Sequence, residues 1–181
     1  MTQKSLANLG PIMQIAFVPK DFEATIDHWV KKGAGPFFVL KGTKAEYQTC
    51  YGKEAYPILD IALGHWGDMQ IEIIRQTSPE KSVYKDWRDE GREGVHHTCI
   101  TVDDLAEAKR ACEAAGAPIV IEGRVGPTEW FYADTGGGPG TLLEVIRYPP
   151  GAEGLMTMVR DAARDWDGTN PVREIAIPPQ S

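Results

Sequence analysis

Near the start of the chain, apolar and polar residues alternate. Met13, Ile15 and Phe17 are separated by Gln14 and Ala16, a period of two that predicts a strand with the first three turned toward helices and the other two toward the opposite face. The strand runs through Val18-Pro19-Lys20 into Asp21, and a helical pattern then continues to Lys32-Gly33-Ala34. Eighty-three positions later (14 to 97) the order returns: His97-Thr98-Cys99-Ile100-Thr101-Val102-Asp103-Asp104, then a helical pattern ending at Ala115-Gly116-Ala117. In each copy an Asp is placed to cap the helix through its side-chain oxygen, and a Gly stands where the helix should stop. The ends match as well, because Ile71-Glu72-Ile73-Ile74-Arg75 aligns with Leu143-Glu144-Val145-Ile146-Arg147 at an offset of 72 (72 to 144), so the second copy is 11 residues shorter (83 − 72).

Between helix and closing strand lie β-rich stretches: 37–40, 47–51 and 58–63 in the first copy, 119–122 and 130–133 in the second. Each copy reads as a βαβββ module. The expected fold class is α+β, with two such modules forming a cupped mixed sheet, followed by a C-terminal helix and tail. Module one covers about 11–76, a linker with a helix over 81–90 covers 77–94, and module two covers about 95–148. In the remainder, 149–181, Leu155, Val159, Ala162, Ala163 and Trp166 fall at helical spacing, and the tail beyond Asn170 is expected to be ordered by contact with the body or a second subunit.

Composition narrows the partners. The chain has 181 residues, 42% hydrophobic and 25% charged, values of a globular domain, and its net charge of −7 with no basic run repels a phosphate backbone, so nucleic acid is excluded as a partner. Residues 1–10 lack the apolar stretch of a signal peptide, and no run of about 18 apolar residues offers a membrane span, so the expectation is a cytoplasmic protein with no membrane partner. The three cysteines, Cys50, Cys99 and Cys112, form no CxxC pair and are expected as reduced thiols.

The phrase His96-His97-Thr98-Cys99-Ile100-Thr101-Val102-Asp103-Asp104-Leu105 resembles the opening strand of a module of the vicinal-oxygen-chelate superfamily, the group of glyoxalase I, methylmalonyl-CoA epimerase, extradiol dioxygenases and bleomycin-resistance proteins. Asp68-Met69-Gln70-Ile71-Glu72-Ile73-Ile74 and Gly140-Thr141-Leu142-Leu143-Glu144-Val145-Ile146 resemble its closing strands, and the likeness covers roughly 11–148. The wording is nearest to the glyoxalase-like and methylmalonyl-CoA epimerase-like members. The resemblance implies metal ligands at Gln14, Glu72, His97 and Glu144; at Gln14 the chain departs from epimerases and dioxygenases, which usually carry His. Strand alternation agrees, since Ile100 and Val102, Ile71 and Ile73, and Leu143 and Val145 form apolar faces that leave all four candidates on the other side. Two carboxylates, one imidazole and one amide suit a divalent ion such as Mg, Mn, Co, Ni or Zn; Fe(II) oxygenation calls for two histidines, which disfavours ring cleavage.

What the resemblance implies is a divalent-metal-dependent isomerase, epimerase or lyase that abstracts a proton next to the carbonyl of a small substrate or acyl thioester, working as a homodimer. Glu144, Glu72 and Asp60 are the candidate catalytic carboxylates, with His65 beside Asp60. Tyr56, Trp66, Trp130 and Phe131 are candidate pocket aromatics, while Arg75 and Arg147 read as surface charges. The rival reading is a non-catalytic, resistance-type binding protein, which Gln14 favours.

Overall fold

The structure is a computed structural model and describes residues 5–176. After a short 3-10 turn at Leu6–Asn8, β1 (Gln14–Phe17) leads into α1 (Phe22–Val30), then β2 (Phe37–Thr43), β3 (Tyr47–Cys50), β4 (Lys53–Glu54), β5 (Leu59–Trp66) and β6 (Met69–Gln76). The linker carries α2 (Val83–Asp89). The second copy supplies β7 (Val95–Thr101), α3 (Leu105–Ala114), β8 (Ile119–Val125), β9 (Thr128–Asp134) and β10 (Leu142–Arg147), and α4 (Gly154–Ala163) and β11 (Val172–Ile175) follow. All eleven strands join one mixed sheet in the order β11-β2-β5-β6-β1-β7-β10-β9-β8-β3-β4.

The expected caps are present. Asp21 accepts from the Ala24 amide and Asp104 from the Glu107 amide, each at 2.9 Å, and Gly33 and Gly116 follow the helices at φ 88° and 69°, a left-handed conformation that costs glycine nothing. Phe22 and Ile26 of α1 bury against Ile71 and Ile73, and Ala108, Ala111 and Cys112 are the buried side of α3, with Ala108 and Cys112 packed against Phe131 and Val145, so both helices lie on the outer face of the sheet. Where the modules meet, β1 and β7 are antiparallel, with Gln14 opposite Cys99 and Ala16 opposite His97. Adding the repeat offset (14 + 83 = 97, 16 + 83 = 99) turns the first pair into the second, which is the signature of a pseudo-twofold axis between these strands.

One stretch departs from the sequence expectation. Residues 47–51 were assigned to module one, but β3 leaves it and pairs with β8 of module two. β2 and β3 thus stand near opposite ends of the strand order, yet only residues 44–46 join them. Four Cα steps span at most about 14 Å, so the two ends of the sheet must meet and the sheet must curl into a nearly closed cup. The connection from β2 to β5, residues 44–58, makes this crossing, whereas the second copy joins β8 to β9 through residues 126–127 alone.

Two helices occupy the ends of the cup. Val83, Tyr84 and Trp87 of α2 pack with Val18, Leu59, Ile74, Ile121 and Tyr132, while Val159 of α4 packs with Phe38 and Leu63, flanked by Leu155 and Met156. Trp166, expected on the last helix, lies past its end and packs over Gly35. The tail pairs in parallel with β2 through Val172–Ile175, so body contact orders that part; 177–181 lie outside the described residues. Among the described residues no helix is long and apolar enough to cross a membrane, and the three cysteines are free and buried.

The packing of β5 on β2 is tight enough to test. A Cβ on Gly64 would sit 2.8 Å from the ring of Phe37, which is wholly buried. Gly64→Ala is expected to cost about 1–3 kcal/mol through overpacking, read as a lower urea midpoint; an unchanged midpoint would mean that this ring is not lodged against the strand.

Candidate metal centre

The register carries two rows of side chains across the inner face. One runs His65, Gln70, Gln14, Cys99, Glu144, Tyr132 through β5, β6, β1, β7, β10 and β9; the next runs Leu63, Glu72, Ala16, His97, Leu142. Gln14, Glu72, His97 and Glu144 all come from these two rows, on the β6-β1-β7-β10 floor of the cup. His97 is fully buried, and its Nε2 lies 3.3 Å from Glu72 Oε2 and 3.2 Å from Glu144 Oε2. The ligand atoms of these three residues fall within 4.8 Å of one another. Beside them Gln14 donates through Nε2 to Gln70 Oε1 at 2.7 Å, which leaves Gln14 Oε1 buried with no hydrogen-bond partner.

This donor set fits a divalent cation. Two carboxylates, an imidazole nitrogen and an amide oxygen that nothing else uses are buried together, and burying such groups without a partner is costly. Without an ion, His97 provides the compensating charge. Burial opposes protonation of its ring, but the hydrogen bonds and charges of Glu144 and Glu72 outweigh that and raise its pKa to about 9. Glu72 is raised by burial, with His97 opposing and the charge of Glu144 adding to the rise.

Residues outside the expected set hold the imidazole in place. His96 Nδ1 and His97 Nδ1 are 2.9 Å apart. Burial, and then the charge of His97, lower the His96 pKa to about 3, so His96 is neutral and its Nδ1 accepts the proton of His97 Nδ1, leaving His97 Nε2 for the site. The backbone of Val83 holds the His96 ring from α2. Tyr132 Oη lies 3.3 Å from His97 Nε2 and accepts a 2.9 Å hydrogen bond from Tyr84 Oη. The two hydroxyls share this hydrogen bond at the edge of the site. The hydrogen-bonding roles of His96, Tyr84, Tyr132 and Gln70 were not foreseen from the sequence, although the alternation that selects Trp130 also selects Tyr132.

Above the floor lies a cavity of about 320 Å³ with mostly apolar walls, among them Leu40, Leu59, Ile61, Trp130, Ile146 and Leu155. Met13, expected on the helix side, lines it instead. Of the candidate aromatics only Trp130 faces this cavity: Phe131 is buried on the outer face, Trp66 is exposed against Trp29, and Tyr56 reaches toward Glu54. Asp60 must also be corrected. Leu59, Ile61 and Leu63 face inward, so Asp60 faces outward, where it accepts from Arg75 Nη2 at 2.8 Å and from the Gly42 amide at 2.9 Å, away from the carboxylate pair. Arg75 pairs with Asp60 and Glu23 over the Phe22 ring, and Arg147 pairs with Glu129, as structural charges.

The electrostatics set a pH dependence. The folded pKa of His97, about 9, exceeds the 6.5 of a free histidine, so its contribution to stability is fully present below pH 6.5 and is lost as the pH rises toward 9. In chelator, the melting temperature of the parent is expected to fall across this window more steeply than that of His97→Gln. Parallel profiles would contradict the imidazolium bridge.

A family model described as Glyoxalase/Bleomycin resistance protein/Dioxygenase superfamily matches residues 13–133. No curated protein matches the sequence. Among solved structures, methylmalonyl-CoA epimerase from Mycobacterium tuberculosis aligns at a TM-score of 0.55 and 17% identity, over 83% of this chain and 94% of that one. A hypothetical protein from Bacillus halodurans C-125 aligns at 0.54 and 15%, over 80% and 98%. Streptomyces coelicolor methylmalonyl-CoA epimerase in complex with 2-nitronate-propionyl-CoA aligns at 0.53 and 17%, over 78% and 96%. At such identities the structural likeness speaks for the fold alone. With more than half of its length matched by the family model, the chain belongs to the Glyoxalase/Bleomycin resistance protein/Dioxygenase superfamily.

Proposed function

We propose that this chain is a divalent-metal-dependent enzyme that moves a proton at the carbon next to a carbonyl, an isomerase or epimerase or a lyase acting on a small carbonyl compound or acyl thioester. The observation that carries this reading is the convergence of two buried carboxylates and one imidazole on the floor of an apolar cavity. The fold shared with methylmalonyl-CoA epimerases supports it. Gln14, Glu72, His97 and Glu144 would hold the ion. When bound, the ion supplies Lewis-acid polarisation of the substrate oxygens and stabilises the negative charge that develops there.

The chain's own groups then handle the proton. Glu72 and Glu144 are the candidate bases, and burial raises the pKa of Glu72 above that of an ordinary carboxylate. Glu72 and Glu144 reach His97 Nε2 from two strands related by the repeat, at 3.3 and 3.2 Å, so either carboxylate is at hand to take up a proton. Tyr132, hydrogen-bonded to Tyr84, sets a hydroxyl 3.3 Å from His97 Nε2 where a substrate oxygen can meet it. The cavity walls exclude water from the reacting carbon.

The apolar walls also support a second reading, a resistance-type protein that sequesters a hydrophobic molecule without chemistry. Solvent-deuterium exchange followed by NMR separates the two. Protein loaded with Mn, Co, Ni or Zn is expected to exchange the proton next to the carbonyl in a panel of 2-oxo compounds and short acyl thioesters. Glu144→Gln is expected to lower metal content and to reduce exchange by about 100-fold or more. Metal-loaded protein that exchanges no member of the panel contradicts the enzyme and leaves the binder.

A further inference from the structure

An amide can turn either end toward an ion, and only its oxygen is a ligand. In this chain the choice at Gln14 is made two side chains away. Met156, on α4, places Sδ 3.4 Å from Gln70 Nε2. A thioether accepts hydrogen bonds and never donates them, so the end of the Gln70 amide that faces it is the NH₂. His65 Nε2 lies 3.4 Å from the same nitrogen, and burial lowers the His65 pKa, so the neutral ring accepts there when its proton is on Nδ1. The Gln70 oxygen therefore faces the other way, 2.7 Å from Gln14, and must be met there by the Gln14 NH₂. What remains is Gln14 Oε1, buried, unpartnered and beside Glu144 and Glu72 in the lining of the cavity. With the amide reversed, a donor would occupy the position where a cation needs a lone pair, and it would bind the carboxylates instead.

We propose that Gln70, oriented by Met156 and His65, is a positioning residue that holds Gln14 as an oxygen ligand, so that the centre offers three oxygens and one imidazole nitrogen, a set suited to Mn²⁺. The inference rests on the metal reading above. It also gives α4, which lies beyond the residues matched by the family model, a part in setting the centre.

The test is calorimetric titration of the full chain with Mn²⁺ in a double-mutant cycle. Gln70→Leu removes the acceptor for the Gln14 NH₂ and is expected to weaken Mn²⁺ binding about 10- to 100-fold, with the melting temperature in chelator reporting that the fold is kept. In a Gln14→Glu background both ends of the side chain are oxygens and no orienting partner is needed, so adding Gln70→Leu is expected to cause no weakening. Gln70→Met, similar in volume and without a strong acceptor, replaces Gln70→Leu if that variant does not fold. Parent-like affinity in Gln70→Leu, or equal weakening in both backgrounds, overturns the positioning role while leaving the metal centre standing. A parent that binds Co²⁺, Ni²⁺ or Zn²⁺ but no Mn²⁺ overturns the assignment of the three-oxygen set alone, and a parent that binds none of the four overturns both.

Discussion

Two carboxylates and an imidazole buried at the bottom of an apolar cup constrain everything else in this molecule. Like charges brought together away from water repel and lose their hydration, at a cost of several kcal/mol for each unpaired ion. A protein keeps such a cluster by protonating a carboxylate or by setting a compensating cation beside it. Here a protonated His97 ring supplies the compensation, and on the reading proposed above a divalent ion would supply it in place of that proton. The neutral His96 behind the ring permits either state by accepting the Nδ1 proton.

The fold delivers this cluster by duplication. Each βαβββ copy can cover one face of its sheet with its own helix, α1 or α3, but leaves the inner face bare. Pairing β1 with β7 brings the two bare faces together, and the pseudo-twofold sets one opening strand and one closing strand on each side, each carrying one of Gln14, Glu72, His97 and Glu144. Elements outside the repeat finish the enclosure. β3 ties the far ends of the sheet, α2 brings Tyr84 and the support for His96, and α4 brings Leu155 and Met156. The repeat thus accounts for the ligands, and the insertions account for their surroundings.

The sequence made the first part legible and not the second. Gln14, Glu72, His97 and Glu144 could be put on one face because period-two alternation around Ile15, Ile71, Ile100 and Val145 is a local property, visible without coordinates. The same rule, applied to Leu59-Asp60-Ile61, turns Asp60 inward, and it fails there because Leu59 and Ile61 line the apolar cavity instead of packing under a helix; applied to Trp130-Phe131-Tyr132 it allows either Phe131 or its two neighbours to face the cavity, but not all three. The crossing of β3 to β8 was not legible, because strand partners across more than 70 residues depend on where the sheet closes rather than on local pattern. Nor was the chain from Met156 through Gln70 to Gln14, in which a thioether more than 80 residues away in sequence decides which end of an amide faces the site.

The most direct measurement is anomalous diffraction at the manganese edge from crystals grown with Mn²⁺. The expected result is one strong peak on the floor of the cup, with Gln14 Oε1, one oxygen each from Glu72 and Glu144, and His97 Nε2 at roughly 2.0–2.6 Å from it. A map with no peak there, with His97 still bridging the two carboxylates at saturating Mn²⁺, would contradict the reading of this cluster as a metal centre.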